Sequence, residues 1–358
     1  MTPSLTATKV LESNALRDLA EHEGACVSVF LPARRPGSPE ASNAPFIRAA
    51  LREFPDLLHS VDDLTEPGNG GGGLAIFASR THEVRYRLPH VESPLAVVSN
   101  RFHLTPVIAA ASSPQDLYVL DVNRKKLRLI HFVDGEGRPA PLPLGVPENM
   151  EAAGDFAQHS HDLANRARAG AGQAVHFGKE TEREHGGEYL HHFFAKVDRN
   201  LSPVLNGRPL ILAGVHEEVA AYRRAARYPT IFTSEIHGNT ALLSLDEVES
   251  CVMMAVKQEH HRAGEKVLRS IREINNRGRQ RTGVRDVCEA AAQGRVHQLC
   301  VAEGAEELGH VPGSKRSWTP EDLVNAAAVF TLRAGGGVFM LPSEWMKEIG
   351  PVGAILRY

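Results

Sequence analysis

The stretch GGEYLHHFFAKVDRNLSPVLNGRPLILAGVHEEVAAYRRAARYPTIFTSEI, Gly186–Ile236, decides how this 358-residue chain is read. From Gly186 to Leu205 the apolar side chains recur at helical intervals, which predicts an amphipathic helix. PLILAGV is a short apolar run of strand length, HEEVAAYRRAAR returns to the helical period, and TIFTSEI is rich in β-branched and aromatic residues, as strands are. Helix, strand, helix, strand in direct succession is an α/β arrangement.

Upstream of that stretch, QDLYVLDVN and KKLRLIHFV read as a strand pair whose connection carries NRKK. After the proline-rich RPAPLPLGVP comes a polar, His- and Ala-rich stretch without periodicity, residues 149–184, which contains RARAGAGQAVHF, Arg166–Phe177. A loop of that length inside a domain is functional or disordered. Further upstream the chain alternates a helix (LESNALRDLAEH), a strand (ACVSVFLPA), a second helix (FIRAALREFPDLLHSVDDL) and two strands (GLAIFAS, EVRYRLP). Gly70–Gly73 precede a strand, whereas a phosphate-binding glycine loop follows one and opens a helix, so they are assigned to a turn.

Downstream, SLDEVESCVMMAVKQEHH is a helix that runs into or stacks on the arginine-rich segment after it. VRDVCEAAAQGRVHQLCVAE reads as a helix stopped at Gly294 and followed by a strand. TPEDLVNAAAVFTLRAGG reads as a helix with Thr319 as N-cap and Pro320 in first position. The closing GGVFMLPSEWMKEIGPVGAILRY is a strand, a short helix and a strand, completing an α/β/α sandwich. The fold class is therefore α/β, α+β in its multidomain arrangement. Three domains are expected: an N-terminal α/β domain over 1–103, a central one over 104–241 with the long loop 149–184, and a C-terminal one over 242–358.

Composition removes several classes of function. With 42% hydrophobic and 23% charged residues, and no apolar run near the roughly 20 residues that cross a bilayer, no membrane span is expected. The polar, acidic N-terminal residues lack the pattern of a secretion signal, so a cytoplasmic protein is expected. Cys26, Cys251, Cys288 and Cys300 form no C-x-x-C pair and read as buried free thiols. His159, His161, His176, His185, His191 and His192 show no H-E-x-x-H spacing, so they read as loop or stacking histidines. No G-x-S-x-G, nucleotide-binding loop or spaced carboxylate pair is found, and neither a metal nor a cofactor is expected.

Charge is informative only locally. Forty basic against 43 acidic residues give a formal net charge of −3, yet Arg262–Arg285 holds eight Lys/Arg against two Glu, and NRKKLR, Asn123–Arg128, holds four basic residues in six. Such patches are either the footprint of a nucleic-acid surface or solvated faces balanced by acidic neighbours. On the first reading Arg124, Lys125 and Lys126, together with Arg277, Arg279 and Arg281, contact RNA; the arginines of NNRGRQRTG in particular sit in a glycine-broken stretch that makes poor core.

The strand pair, the glycine-glutamine loop and LILAGV, taken in order with VCEAAAQGRVHQLCVAE, LRAGGGVFMLP and GPVGAILRY, resemble the central and third domains of the archaeal and eukaryotic class-1 release factors and of Pelota. With VSVFLPARR and HHFFAKVDRNL included, the chain is most similar to the bacterial relatives of that family, the group of Balon-like ribosome-hibernation factors. The resemblance implies a release-factor-like central domain and an L7Ae-like C-terminal domain. It also implies a monomeric, roughly tRNA-shaped protein that enters the ribosomal A site in company with an elongation-factor-Tu-type GTPase. Such a protein meets ribosomal RNA chiefly through phosphates and shape.

In release factors the central loop carries Gly-Gly-Gln, which positions water against the peptidyl-tRNA ester. Here the tripeptide is Ala171-Gly172-Gln173, and a β-carbon in place of the first glycine is costly wherever φ is positive. The expected role of Arg166, Arg168, Gly172 and Gln173 is thus RNA contact without catalysis. The alternative is a peptidyl-tRNA hydrolase acting through Gln173. No Asn-Ile-Lys-Ser motif is found in the first domain, so stop-codon reading is not expected; Arg34 and Arg35 mark the loop there that would reach RNA. The expected function is occupation of the A site, for hibernation under stress or for rescue, without codon reading or catalysis.

Overall fold

Cys26–Leu31 is apolar except for Ser28 and is buried along its whole length, as a short apolar run at the centre of a sheet should be. The computed structural model in which this is seen describes residues 9–10, 13–32, 49, 73–79, 82–88, 91, 93–111, 114, 116–133, 136–153, 179–238, 240–273, 278–312 and 320–358. The expected helix FIRAALREFPDLLHSVDDL lies outside them except for Ala49.

In chain order the first segment contains β1 (Lys9–Val10), α1 (Ser13–Ala20), β2 (Cys26–Leu31), β3 (Gly73–Ser79), β4 (Glu83–Leu88), β5 (Leu95–Ser99) and α2 (Thr105–Ala111). The next contains β6 (Asp116–Val122), β7 (Arg128–Val133), β8 (Glu136–Ala140), α3 (Lys179–Leu205), β9 (Leu210–Gly214), α4 (His216–Ala225) and β10 (Ile231–His237). The last contains α5 (Leu245–Glu273), β11 (Gln280–Thr282), α6 (Val284–Ala292), β12 (Val296–Ala302), β13 (Leu308–Gly309), β14 (Glu321–Asp322), α7 (Leu323–Arg333), β15 (Gly337–Leu341), α8 (Ser343–Met346) and β16 (Val352–Leu356). Each of the three segments supplies one main sheet, ordered β1-β4-β3-β2-β5, β10-β9-β6-β7-β8 and β11-β16-β12-β15. By compactness the chain forms two units, one from residues 1–113 with 260–358 and one from 114–259.

In the first unit a single core joins the two ends of the chain. Leu19, Phe77 and Phe102 from the N-terminal segment belong to the same buried cluster as Val287, Val324 and Ala354 from the C-terminal one. The C-terminal sheet is a three-layer sandwich, with α6 and α7 against one face and the second half of α5 with α8 against the other. Asn325 ties the segments together from inside α7: its side-chain oxygen accepts from the Leu104 N–H at 2.7 Å and its amide donates to the Phe102 carbonyl at 3.0 Å. Helix α7 is capped by Asp322, whose carboxylate accepts from the Val324 and Asn325 N–H groups. This corrects the expected start at Thr319 and Pro320. Burial of Leu323 moves the helix onset three residues on, where Asp322 offers the same capping chemistry. Three of the four cysteines, Cys26, Cys288 and Cys300, are buried free thiols, and burial pushes the last two up to about 12.

In the central unit β6, β9 and β10 run parallel, while β7 and β8 complete the sheet antiparallel. Helices α3 and α4 cover one face through Phe193, Phe194, Leu201 and Tyr222, and the start of α5 covers the other through Val248, Val252 and Val256. Phe193 and Phe194 are thus core. Buried Asp198 accepts from the Arg227 N–H at 2.8 Å and from the Tyr222 hydroxyl at 3.3 Å, fixing α4 against α3. Helix α5 is one continuous helix, which settles the choice between running on and stacking. Helix α3 begins at Lys179, ahead of the expected loop end at Glu184, and residues 149–153 form a turn pinned to α3 by Lys196 Nζ on the Ala153 carbonyl at 3.2 Å. Among the described residues no helix is long and apolar enough to cross a membrane.

Candidate nucleic-acid interface

The three parallel strands of the central sheet end together, and the chain segments that leave them carry its distinctive polar groups. From β6 the chain enters the turn Asn123–Leu127. Asn123 Oδ1 accepts from the Lys125 N–H at 2.8 Å, a local turn that asparagine favours. The Arg124 carbonyl accepts from the Met150 N–H at 2.9 Å, and buried Leu127 donates its N–H to the Glu148 carbonyl at 2.8 Å. A basic turn braced at three points presents its side chains at defined positions. Arg124 is exposed and pairs with Glu218 on α4 at 3.3 Å. Lys125 and Lys126 are exposed and form no ion pair among the described residues.

Behind the turn, Arg128 lies 3.6 Å from buried Asp121 and donates to the Thr240 carbonyl at 2.6 Å. Burial pushes the Asp121 carboxyl up, and the nearby Arg128 charge offsets only part of that rise. Beside it, β9 ends at Gly214 with φ of +143°, where an added β-carbon would sit 2.6 Å from the Val122 carbonyl oxygen of β6. Only glycine lets the two strand ends approach this closely and lets Gly238 donate to the Gly214 carbonyl at 3.1 Å. Gly214→Ala is therefore expected to destabilise the central unit by about 2–4 kcal/mol, combining a disfavoured backbone region with overpacking against a main-chain oxygen. Hydrogen exchange of the Leu210–Gly214 amides reads this; protection equal to that of the unsubstituted protein would refute the packing argument.

The remaining candidates are distributed. Arg279 and Arg281 belong to the other unit, at edge strand β11. Arg279 is exposed and donates to the Arg357 carbonyl at 3.4 Å, while half-buried Arg281 donates to its neighbour's carbonyl, that of Gln280, at 2.8 Å. Arg34, Arg35, Arg166, Arg168, Gly172, Gln173 and Arg277 lie outside the described residues. His191 and His192 are exposed on α3. One group that the sequence reading missed is His216, Glu235 and His237, whose nitrogen and oxygen donors lie within 4.8 Å of one another among the described residues. Its only sequence trace is the Glu-x-His alternation at the end of β10, which puts both side chains on one face of the strand.

The central unit is thus a mixed α/β sheet with crossover helices and a braced basic turn at its parallel strand ends. Residues 117–295, half of the sequence, match the model of bacterial archaeo-eukaryotic release factor family 3, and the chain belongs to that family. Among solved structures, the archaeal translation termination factor aRF1 aligns at 13% identity over 98% of this chain and 99% of its own, with a TM-score of 0.26. Ribosome-bound archaeal Pelota, from a model with ABCE1, aligns at 14% identity over 98% and 95%, with a TM-score of 0.36. Pelota of Archaeoglobus fulgidus aligns at 11% identity over 98% and 93%, also at 0.36. No curated protein matches the sequence.

Proposed function

We propose that this protein is a ribosome-binding translation factor that occupies the A site, in hibernation or rescue, by contacting ribosomal RNA, and that it neither reads codons nor catalyses hydrolysis. The observation that carries the reading is the exposed pair Lys125 and Lys126, on a turn braced by Asn123, Glu148 and Met150 inside the segment matched by the family model. Cations without carboxylate partners among the described residues are free to neutralise phosphates, and a braced turn spends little backbone entropy in doing so. Arg124 and the exposed Arg279 would add to the contact, as would Arg34, Arg35, Arg166, Arg168, Arg277 and Arg281. Delivery by an elongation-factor-Tu-type GTPase and action as a monomer belong to the same proposal.

Co-sedimentation with vacant ribosomes and with peptidyl-tRNA-loaded ribosomes, with peptide release followed in the same tubes, tests it. Binding without release is expected. The double reversal Lys125→Glu/Lys126→Glu should weaken binding by about 10–100-fold and lower the slope of log affinity against log salt by roughly 1–2. An unchanged slope would remove the turn from the interface. Release that disappears in Gln173→Ala would make the protein a peptidyl-tRNA hydrolase instead.

A further inference from the structure

We infer that His216, Glu235 and His237 form a binding site for one divalent transition-metal ion of the zinc class. Three features of the central unit carry this. First, the donors converge from rigid elements: His216 opens α4, while Glu235 and His237 are two apart on β10 and so share the strand face turned toward that helix. Second, the backbone holds them in register, since His237 pairs with Gly214, two residues before His216, and the Gly238 N–H bonds the Gly214 carbonyl. The imidazole centroids of His216 and His237 stand 6.2 Å apart. Third, the donor set is chemically selective. Two imidazoles and one carboxylate favour zinc, cobalt, nickel or copper over magnesium or calcium.

The donor atoms lie within 4.8 Å of one another, whereas ligands about 2.0–2.2 Å from a tetrahedral zinc stand roughly 3.3–3.6 Å apart. Closing that gap takes about 1 Å, which rotation of the two exposed histidine rings supplies. Glu235 is already oriented: Arg223 on α4 holds its Oε1, and Oε2 faces His237 Nδ1 at 4.0 Å. Arg223 is also anchored by the Phe232 and Thr233 carbonyls, so it fixes the carboxylate as an outer-sphere partner does. Its positive charge opposes the ion and sets the affinity below that of a buried structural site. Three protein ligands leave a fourth position for water or an anionic oxygen. The inference stands apart from the ribosome reading and needs no RNA.

Cobalt(II) and zinc(II) titrated into the full-length protein, followed by equilibrium dialysis and by the visible absorption of four-coordinate cobalt, test it. One ion per chain is expected at this site. His216→Ala and His237→Ala should each lower its affinity by at least about 10–100-fold, and Glu235→Gln should lower it less. Because His216 and His237 are exposed, these variants are expected to keep the circular dichroism of the parent. His191→Ala/His192→Ala should change nothing. Equal binding by the parent and the His216→Ala/His237→Ala double variant would overturn the inference, as would loss of the cobalt bands only when His191 and His192 are replaced.

Discussion

Glu321→Ala is expected to destabilise the unit built from residues 1–113 and 260–358 by about 3–5 kcal/mol. Glu321 on β14 and Arg101 after β5 form an ion pair whose side chains are only 4% and 8% exposed. Asn100 donates to Glu321 Oε1 at 3.1 Å, and the Arg101 guanidinium lies 4.8 Å from the centroid of the Phe330 ring. Removing the carboxylate strands a buried guanidinium that cannot lose its proton, so the full desolvation cost falls on the folded state. Replacing both partners, Arg101→Leu/Glu321→Leu, should recover most of the loss, because an apolar pair of similar bulk carries no desolvation cost. Trp345 falls in this unit and residues 114–259 contain no tryptophan, so urea unfolding followed by tryptophan fluorescence isolates its transition. A cost under about 1 kcal/mol for Glu321→Ala would mean that water reaches the pair.

The same unit is expected to lose about 4–6 kcal/mol between pH 7 and pH 4 through two histidines. Burial pushes His103 and His260 down to about 4, with Glu306 and Glu303 respectively opposing the shift. In the unfolded chain each returns to about 6.5. Above pH 6.5 both are neutral in either state and cost nothing. As the pH falls from 6.5 toward 4 the unfolded chain takes up protons that the folded one refuses, and stability drops by about 2–3 kcal/mol for each. The Met340 N–H donates to His260 Nε2 at 3.3 Å, a bond that only the neutral ring accepts. Asp322, whose carboxyl burial pushes up, works in the opposite direction and trims the effect. His103→Gln/His260→Gln should flatten the profile between pH 6.5 and 4 while leaving the acid limb below it. If the double variant shows the undiminished loss, the histidines are not its source.

Much of the architecture was legible in the residues. The period-3.6 spacing of Phe193, Phe194, Val197 and Leu201 and the short apolar run Leu210–Ala213 each admitted one reading, because helix and strand bury their apolar atoms at different intervals. The helix from Val284 with its stop at Gly294 was equally plain: a φ of +69° there asks for glycine. The start of α7 was not. Thr319-Pro320 and Asp322 are both competent to begin a helix, and the choice fell to Asp322 because Leu323 is drawn into the core.

For the site the division is sharper. The sequence by itself determined that Asn123–Arg128 is a cationic turn between two strands, since charge and turn propensity are local properties. It also determined the order of elements by which the family is recognised. Only the tertiary structure decided that Arg124 is paired with Glu218 while Lys125 and Lys126 are left exposed, that His216 meets Glu235 and His237, and that Arg101 is buried beside Glu321. These pairs are separated by between 19 and 220 residues. What joins them is strand register and helix packing, which depend on the summed burial of the whole core, and no local pattern in the chain encodes that sum.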